Sequence, residues 1–386
     1  MAGLAGVQAR VAALAKAQPE AALALSANNA DALVAAVDQQ IMRGKSDIDL
    51  TAMAVSASRA LRAAPLNPGA LRQLGLAKAG KGDQAGGRAL VMLGNRVSQR
   101  DFLAHVWMIE DRVAENDIPG ALDHYDLALS ISELADGALF PVLSGALSEP
   151  EVRAAFAPYL HKLRPWMPRF LTYVVNSGSG SVEIADALVV RGGGGLPATP
   201  SYAGLDAQLL KKLIANGNYD TAYRYAASLP AGAQAMREIG FTEAATNLRL
   251  GPVVWELADS ADLRVRPSSG DKLDVTVRSN ADGVAATRIL FLKPGSYRFS
   301  HAVAPLPDTD PVSLTWVLRC LPAGQDETIW KQDYASTLSE KQFAVVVKIP
   351  DRCRAQQLGV VIRGGDTQNE AGVVLGPLAM VAAPVR

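Results

Sequence analysis

Between Pro68 and Leu129 the chain repeats itself with a step of 34 residues. Asn67-Pro68 opens the first unit, and Leu74-Gly75 falls where its first helix must pack. Gly82-Asp83 supplies a turn, and Ala85 to Leu93 a second helix. Phe102 lies 34 residues beyond Pro68, and there the pattern restarts, with Asn116-Asp117 as its turn. The second helix of this unit carries Ala121, Leu122, Tyr125, Ala128 and Leu129, a spacing of i, i+1, i+4, i+7 and i+8 that forms one apolar helix face. One helical hairpin cannot bury such a face alone, so repeated hairpins must stack. Residues 1–66 are Ala-rich, with helical periodicity at Ala21 to Leu25 and Asp31 to Met42. Ala60 sits two steps before Ala128, which predicts a degenerate earlier unit with its turn lengthened around Gly44-Lys45-Ser46-Asp47.

The residues Leu74, Gly75, Gly82, Ala121, Tyr125, Ala128, Ala60 and Pro65 resemble those of the tetratricopeptide repeat family, whose unit is 34 residues long. No single unit holds the whole set, and Lys78 and Arg112 stand where the family's first helix has an aromatic. The resemblance covers about residues 30–132. It implies a helical solenoid that binds a protein partner on its concave face, and it implies no catalysis. Small side chains at the close contacts let neighbouring helices approach.

From Asp136 the repeat loosens. Helices are expected at Ala138 to Leu147, from Glu149-Pro150 to Leu163, at Phe170 to Val175 and at Val182 to Val190. Asn176 to Gly180, and the stretch from Gly192 to Pro200, read as loops. A last helical pair, Ala207 to Asn216 and Thr221 to Ser228, flanks Gly217-Asn218-Tyr219-Asp220, so the solenoid is expected to extend to residue 230. Residues 231–252 form a linker. After Pro252 the apolar period changes from 3.6 to 2, with Leu273, Val275 and Val277 alternating. Further strands follow at Arg288 to Leu292, Tyr297 to His301, Leu314 to Cys320, Thr328 to Tyr334, Phe343 to Ile349, Leu358 to Arg363 and Val373 to Val381. About eight short strands separated by turns predict an antiparallel β-sandwich over residues 253–386. The Leu292 to Tyr297 element and the Trp316 strand resemble jelly-roll modules that bind carbohydrate. The fold class is therefore α+β multidomain: a helical solenoid, then a jelly-roll sandwich.

Lys and Arg together number 38, as do Asp and Glu, so a basic nucleic-acid surface is not expected. No apolar run reaches 18 residues. Met1 to Val7 reads either as the ragged start of a helix or as the remnant of a removed signal or membrane anchor. Cys320 and Cys353 both fall in the sandwich at strand ends, a placement that suits a disulfide and an oxidising compartment. Two separate thiols in a cytoplasmic protein are the alternative.

No catalytic constellation assembles. Gly-x-Ser-x-Gly is absent, and none of the four histidines has a partner at recurring metal-ligand spacing. Neither a cofactor nor a metal is expected, and Asp308 and Asp310 read as turn residues. Trp330 and Tyr334 flank a polar strand and are the candidate ligand-stacking rings. His105, Arg112 and Trp166 are the candidate partner-binding residues, Trp166 because two prolines and two arginines surround it. The expected function is a non-enzymatic scaffold of the periplasm or cell envelope, with a protein on the solenoid and polysaccharide on the sandwich, as in polysaccharide assembly or secretion. The alternative is a glycan-active lyase or hydrolase with its site between the two parts.

Overall fold

The computed structural model describes every residue except 1, 45–47, 178, 191, 193, 242–246, 322–326, 336–338, 367–368 and 384–386, and the side chains of 2–7 and 335 are likewise left aside. Met1 therefore lies outside the described residues, as does most of the turn expected at 44–47. The chain divides into two compact units, Met1–Leu139 and Phe140–Arg386.

The first unit contains α1 (Ala2–Leu14), α2 (Pro19–Leu25), α3 (Ala30–Met42), α4 (Leu50–Ala63), α5 (Pro68–Gly80), α6 (Gln84–Val97), α7 (Phe102–Ala114) and α8 (Ile118–Ile131). The second helices of three successive hairpins, α4, α6 and α8, begin at Leu50, Gln84 and Ile118, a constant step of 34 residues. Each is started by an aspartate at the same place in the repeat. Asp49 accepts from the Thr51 and Ala52 N–H groups, Asp83 from Gly86 and Asp117 from Gly120, at 2.8–3.1 Å. These caps satisfy donors that the helix itself leaves open. Gly82 and Asn116, also one step apart, turn the chain with positive φ, which suits these two residue types.

Glycine sets the distance between α5 and α6. A Cβ on Gly75 would lie 2.7 Å from the Gly87 carbonyl oxygen, and one on Gly87 would lie 2.7 Å from the Gly75 carbonyl oxygen. The backbones touch there, and alanine does not fit at either position. Polar groups tie successive hairpins together. Arg72 of α5 is fully buried and donates to Asp38 of α3 and to Asp101, the cap of α7, at 2.7–2.8 Å. One cation thus joins the first helices of three consecutive hairpins.

The helix α9 (Asp136–Ala146) crosses the boundary between the units. The second unit continues with α10 (Pro150–Phe156), α11 (Met167–Ser177), α12 (Ser181–Val190), α13 (Leu205–Ala215), α14 (Tyr219–Ser228) and the short α15 (Gly232–Ala235). Ten strands follow among the described residues: β1 (Glu256–Leu257), β2 (Leu263–Ser268), β3 (Lys272–Val277), β4 (Asp282–Leu290), β5 (Gly295–Pro305), β6 (Ser313–Cys320), β7 (Glu327–Ala335), β8 (Lys341–Ile349), β9 (Gln356–Arg363) and β10 (Ala371–Ala382). They form two five-stranded antiparallel sheets, in the orders β1-β4-β9-β6-β7 and β2-β3-β10-β5-β8. The core between them is built from alternating inward residues such as Val275, Phe299, Trp316, Val360 and Val373.

The division differs from the expected one. The helices after Phe140 belong with the sandwich, not with the repeats, because side chains interlock across that join. Arg288 of β4 is 1% exposed and donates to the carbonyls of Ala235, Glu238 and Val253 at 2.9–3.1 Å. Its guanidinium lies 5.5 Å from the Trp255 ring, and Trp255 Nε1 donates to the Ile239 carbonyl at 2.7 Å. Tyr219 of α14 is buried with Ile289 and Ala355 of the sandwich. Residues 231–252 are therefore a structural seam rather than a free linker.

Candidate functional site

Trp330 and Tyr334 lie on β7, an edge strand, opposite Leu318 and Leu314 of β6. Residues paired across strands share a face, so both rings point inward with the core. The Trp330 ring packs 5.6 Å from Phe299, and Tyr334 packs 4.8 Å from His301 and 4.5 Å from Phe343. Both rings are half-buried. This corrects the expectation of a free stacking platform: they close the open edge of the sandwich between β7 and β8.

His301 is the unusual member of this cluster. It is 3% exposed and sits among Phe299, Trp316, Tyr334 and Phe343, and neither ring nitrogen has a hydrogen-bond partner among the described residues. Burial pulls its pKa from the usual 6.5 down to about 4, so the ring is neutral at pH 7. The unfolded chain takes up this proton as pH falls through 6.5, whereas the folded chain resists until about pH 4. Stability is therefore present above 6.5 and is lost across that window, by up to about 3 kcal/mol. Urea unfolding of the protein at pH 7, 5.5 and 4 should show this slope, and His301→Phe should flatten it. An equal slope in the variant would assign the acid sensitivity elsewhere.

The other sequence candidates also need correction. Trp166 is 1% exposed and lies between Phe156 and Phe170, with ring centroids at 6.4 and 6.0 Å. The prolines around it start α11 instead of pushing the ring outward. His105 is fully buried, with Nδ1 3.0 Å from His124 Nδ1 and Nε2 3.0 Å from the Gln99 carbonyl. Burial, with His105 and Arg112 nearby, lowers the pKa of His124. Neither Trp166 nor His105 can touch a partner from these positions. Arg112 remains partly exposed and pairs with Glu115 and Asp117 at 3.3 and 3.6 Å. Cys320 and Cys353 are joined, with Cα atoms 5.5 Å apart.

Hollows on the second unit that the sequence did not disclose include a trough and a cleft. The first is a trough of about 640 Å³ on the outer face of β8-β5-β10. Its floor is a row of small residues, Ala344, Ser300 and Ala379, paired across the three strands. The next row is Val346, Arg298 and Val381, and the two valines are 62% and 57% exposed. Gln342 edges the opposite end. The trough thus combines apolar platforms with a guanidinium and an amide, donors and acceptors that suit a flat hydroxylated ligand. An adjoining hollow of about 290 Å³ shares Ala379 and Val381 and is bounded by Arg237 and Glu238.

The second is a cleft of about 460 Å³ where α14 meets the turns after β4 and before β9. Tyr223, 47% exposed, stands 5.7 Å from Phe291 with the ring planes at 75°. Asp220 and Arg354 pair across it at 2.9 Å, and Lys293 and Asp351 complete its rim.

No family model matches the chain, and a comparison with curated proteins finds no match. Solved structures that resemble part of this chain include carbohydrate-binding modules and the enzymatically active domain of the bacteriophage CBA120 tailspike protein 4, the latter at 9% identity over 40% of this chain and 22% of that one, with a TM-score of 0.27. One of the modules is a CBM4 structure, at 11% identity over 39% of this chain and 98% of that one, with a TM-score of 0.29. Another is TmCBM61 in complex with β-1,4-galactotriose, at 12% identity over 37% and 99%, with a TM-score of 0.27. A third is the N-terminal cellulose-binding domain of Cellulomonas fimi β-1,4-glucanase C, at 13% identity over 35% and 99%, with a TM-score of 0.23.

Proposed function

We propose that this chain is a non-enzymatic glycan-binding adaptor of an oxidising compartment, the cell envelope or beyond it. The sandwich holds a polysaccharide across β8-β5-β10, and the stacked hairpins of the first unit dock a protein. The observation that carries the reading is the trough. Its small-residue floor lets a flat chain approach the sheet, while Val381 meets an apolar sugar face and Arg298 and Gln342 meet hydroxyls. The disulfide supports the compartment, since such bonds persist where the surroundings are oxidising. No described helix is long and apolar enough to cross a membrane.

Isothermal titration with uncharged oligosaccharides tests the reading. Arg298→Ala should weaken binding roughly tenfold, the loss of one charge-assisted hydrogen bond. Ser300→Trp should block the trough without disturbing the core, because Ser300 faces outward between two alanines. Binding unchanged by both substitutions would remove the trough as the site.

A further inference from the structure

We propose that the cleft beside α14 is a second saccharide site, in which a neutral sugar ring stacks on the open face of Tyr223. This rests on reading the chain as glycan-binding, and it places a contact away from the sheet face. Three observations carry it.

First, Tyr223 is a large ring that the fold leaves half in water, although an apolar neighbour is at hand. Phe291 meets it at 75°, an edge contact that steadies the ring without covering both of its faces. Tyr219, one helical turn earlier, is instead buried in the join with Ile289 and Ala355.

Second, the rim balances. Arg354 and Lys293 stand against Asp220 and Asp351, so donors and acceptors surround the rings with no net charge. A charged polymer gains nothing from such a rim, whereas a ligand carrying many hydroxyls finds both partners it needs. A volume of about 460 Å³ is of the size that small ligands occupy.

Third, the walls are fixed in advance. Gln356 is fully buried and clamps both turns: it accepts from the Leu292 N–H at 2.8 Å and donates to the carbonyls of Leu292 and Cys353 at 3.2 and 3.1 Å. The disulfide anchors one turn, and Tyr297 Oη donates to the Lys293 carbonyl at 3.0 Å to anchor the other. A site whose walls are held before the ligand arrives loses less on ordering.

The test is calorimetric titration of the full chain with cellotetraose, xylotetraose, galactotetraose and a tetragalacturonate, at low and at high salt. Tyr223→Ala should weaken binding of a neutral sugar at least tenfold. Tyr223→Phe, which keeps the ring, should stay within about twofold of the parent. Salt should matter little, and the uronate should not be preferred. Circular dichroism confirms that each variant is folded. If Tyr223→Ala binds every sugar like the parent while Ser300→Trp abolishes binding, this inference falls and the trough reading stands. If Tyr223→Ala loses binding that Ser300→Trp keeps, this inference stands and the trough falls. Failure of the parent to bind any of the sugars overturns both. A cleft that takes tyrosine- or proline-containing tripeptides and none of the sugars overturns the saccharide assignment.

Discussion

Replacing Arg288 with alanine is expected to cost the second unit about 3–5 kcal/mol, because it strips the donor from three backbone carbonyls. The arginine sits in the middle of β4, yet its guanidinium is buried and reaches three backbone carbonyls. Alanine would leave those carbonyls unpaired in a dry environment, at about 1–3 kcal/mol each before relaxation. It would also remove the cation from the Trp255 ring. Burial lowers the guanidinium to about 10, so it remains charged at neutral pH. Urea unfolding followed by tryptophan emission, with Trp255 and Trp316 as buried reporters, measures the loss. Arg288→Met should cost less, because it fills the space while still leaving the carbonyls bare. A loss below about 1 kcal/mol for the alanine variant would mean that water replaces the guanidinium freely.

Opening the disulfide should have an effect of similar size. Cys320 and Cys353 are 33 residues apart, and a bond closing a loop of that length limits the unfolded chain by roughly 3–4 kcal/mol. Cys353 also borders the cleft, so the same change should loosen the turn at 351–354. The expectation is a lower unfolding midpoint in dithiothreitol, reproduced without reductant by Cys320→Ser/Cys353→Ser. If reductant shifts the parent and the double variant equally, the bond is not the source of the shift.

Much of this architecture was legible because periodicity is a local signal. Leu74-Gly75, Ala121 and Tyr125 announced the hairpins, and their step of 34 residues appears in the helix starts. Alternation and short apolar runs announced eight of the strands. The strand β2 escaped because Pro267 lies inside it, which an edge strand tolerates: β2 is the terminal strand of its sheet, next to β3. The recurring Asp49, Asp83 and Asp117 are a readable sign of helix starts, although Asp83 and Asp117 look locally like turn residues.

Facing and long-range contact were not legible. Trp166 looked exposed because prolines flank it, yet which side of a helix start a ring takes depends on neighbours such as Phe156. Trp330 and Tyr334 looked like a platform because polar residues separate them; the sheet sets them on the inner face. The sequence offered no sign of the cleft either, since Asp220 and Arg354 are 134 residues apart. Arg288 was readable in principle, as a lone cation in the apolar run Ala285 to Leu290, but nothing nearby in the chain named its carbonyl partners.

The seam through Arg288 bears on where this chain can be divided. A fragment cut at residue 253 would lose the carbonyls of Ala235 and Glu238 and the wall supplied by Tyr219 and Tyr223. Without that collar of helices the isolated sandwich should be poorly soluble.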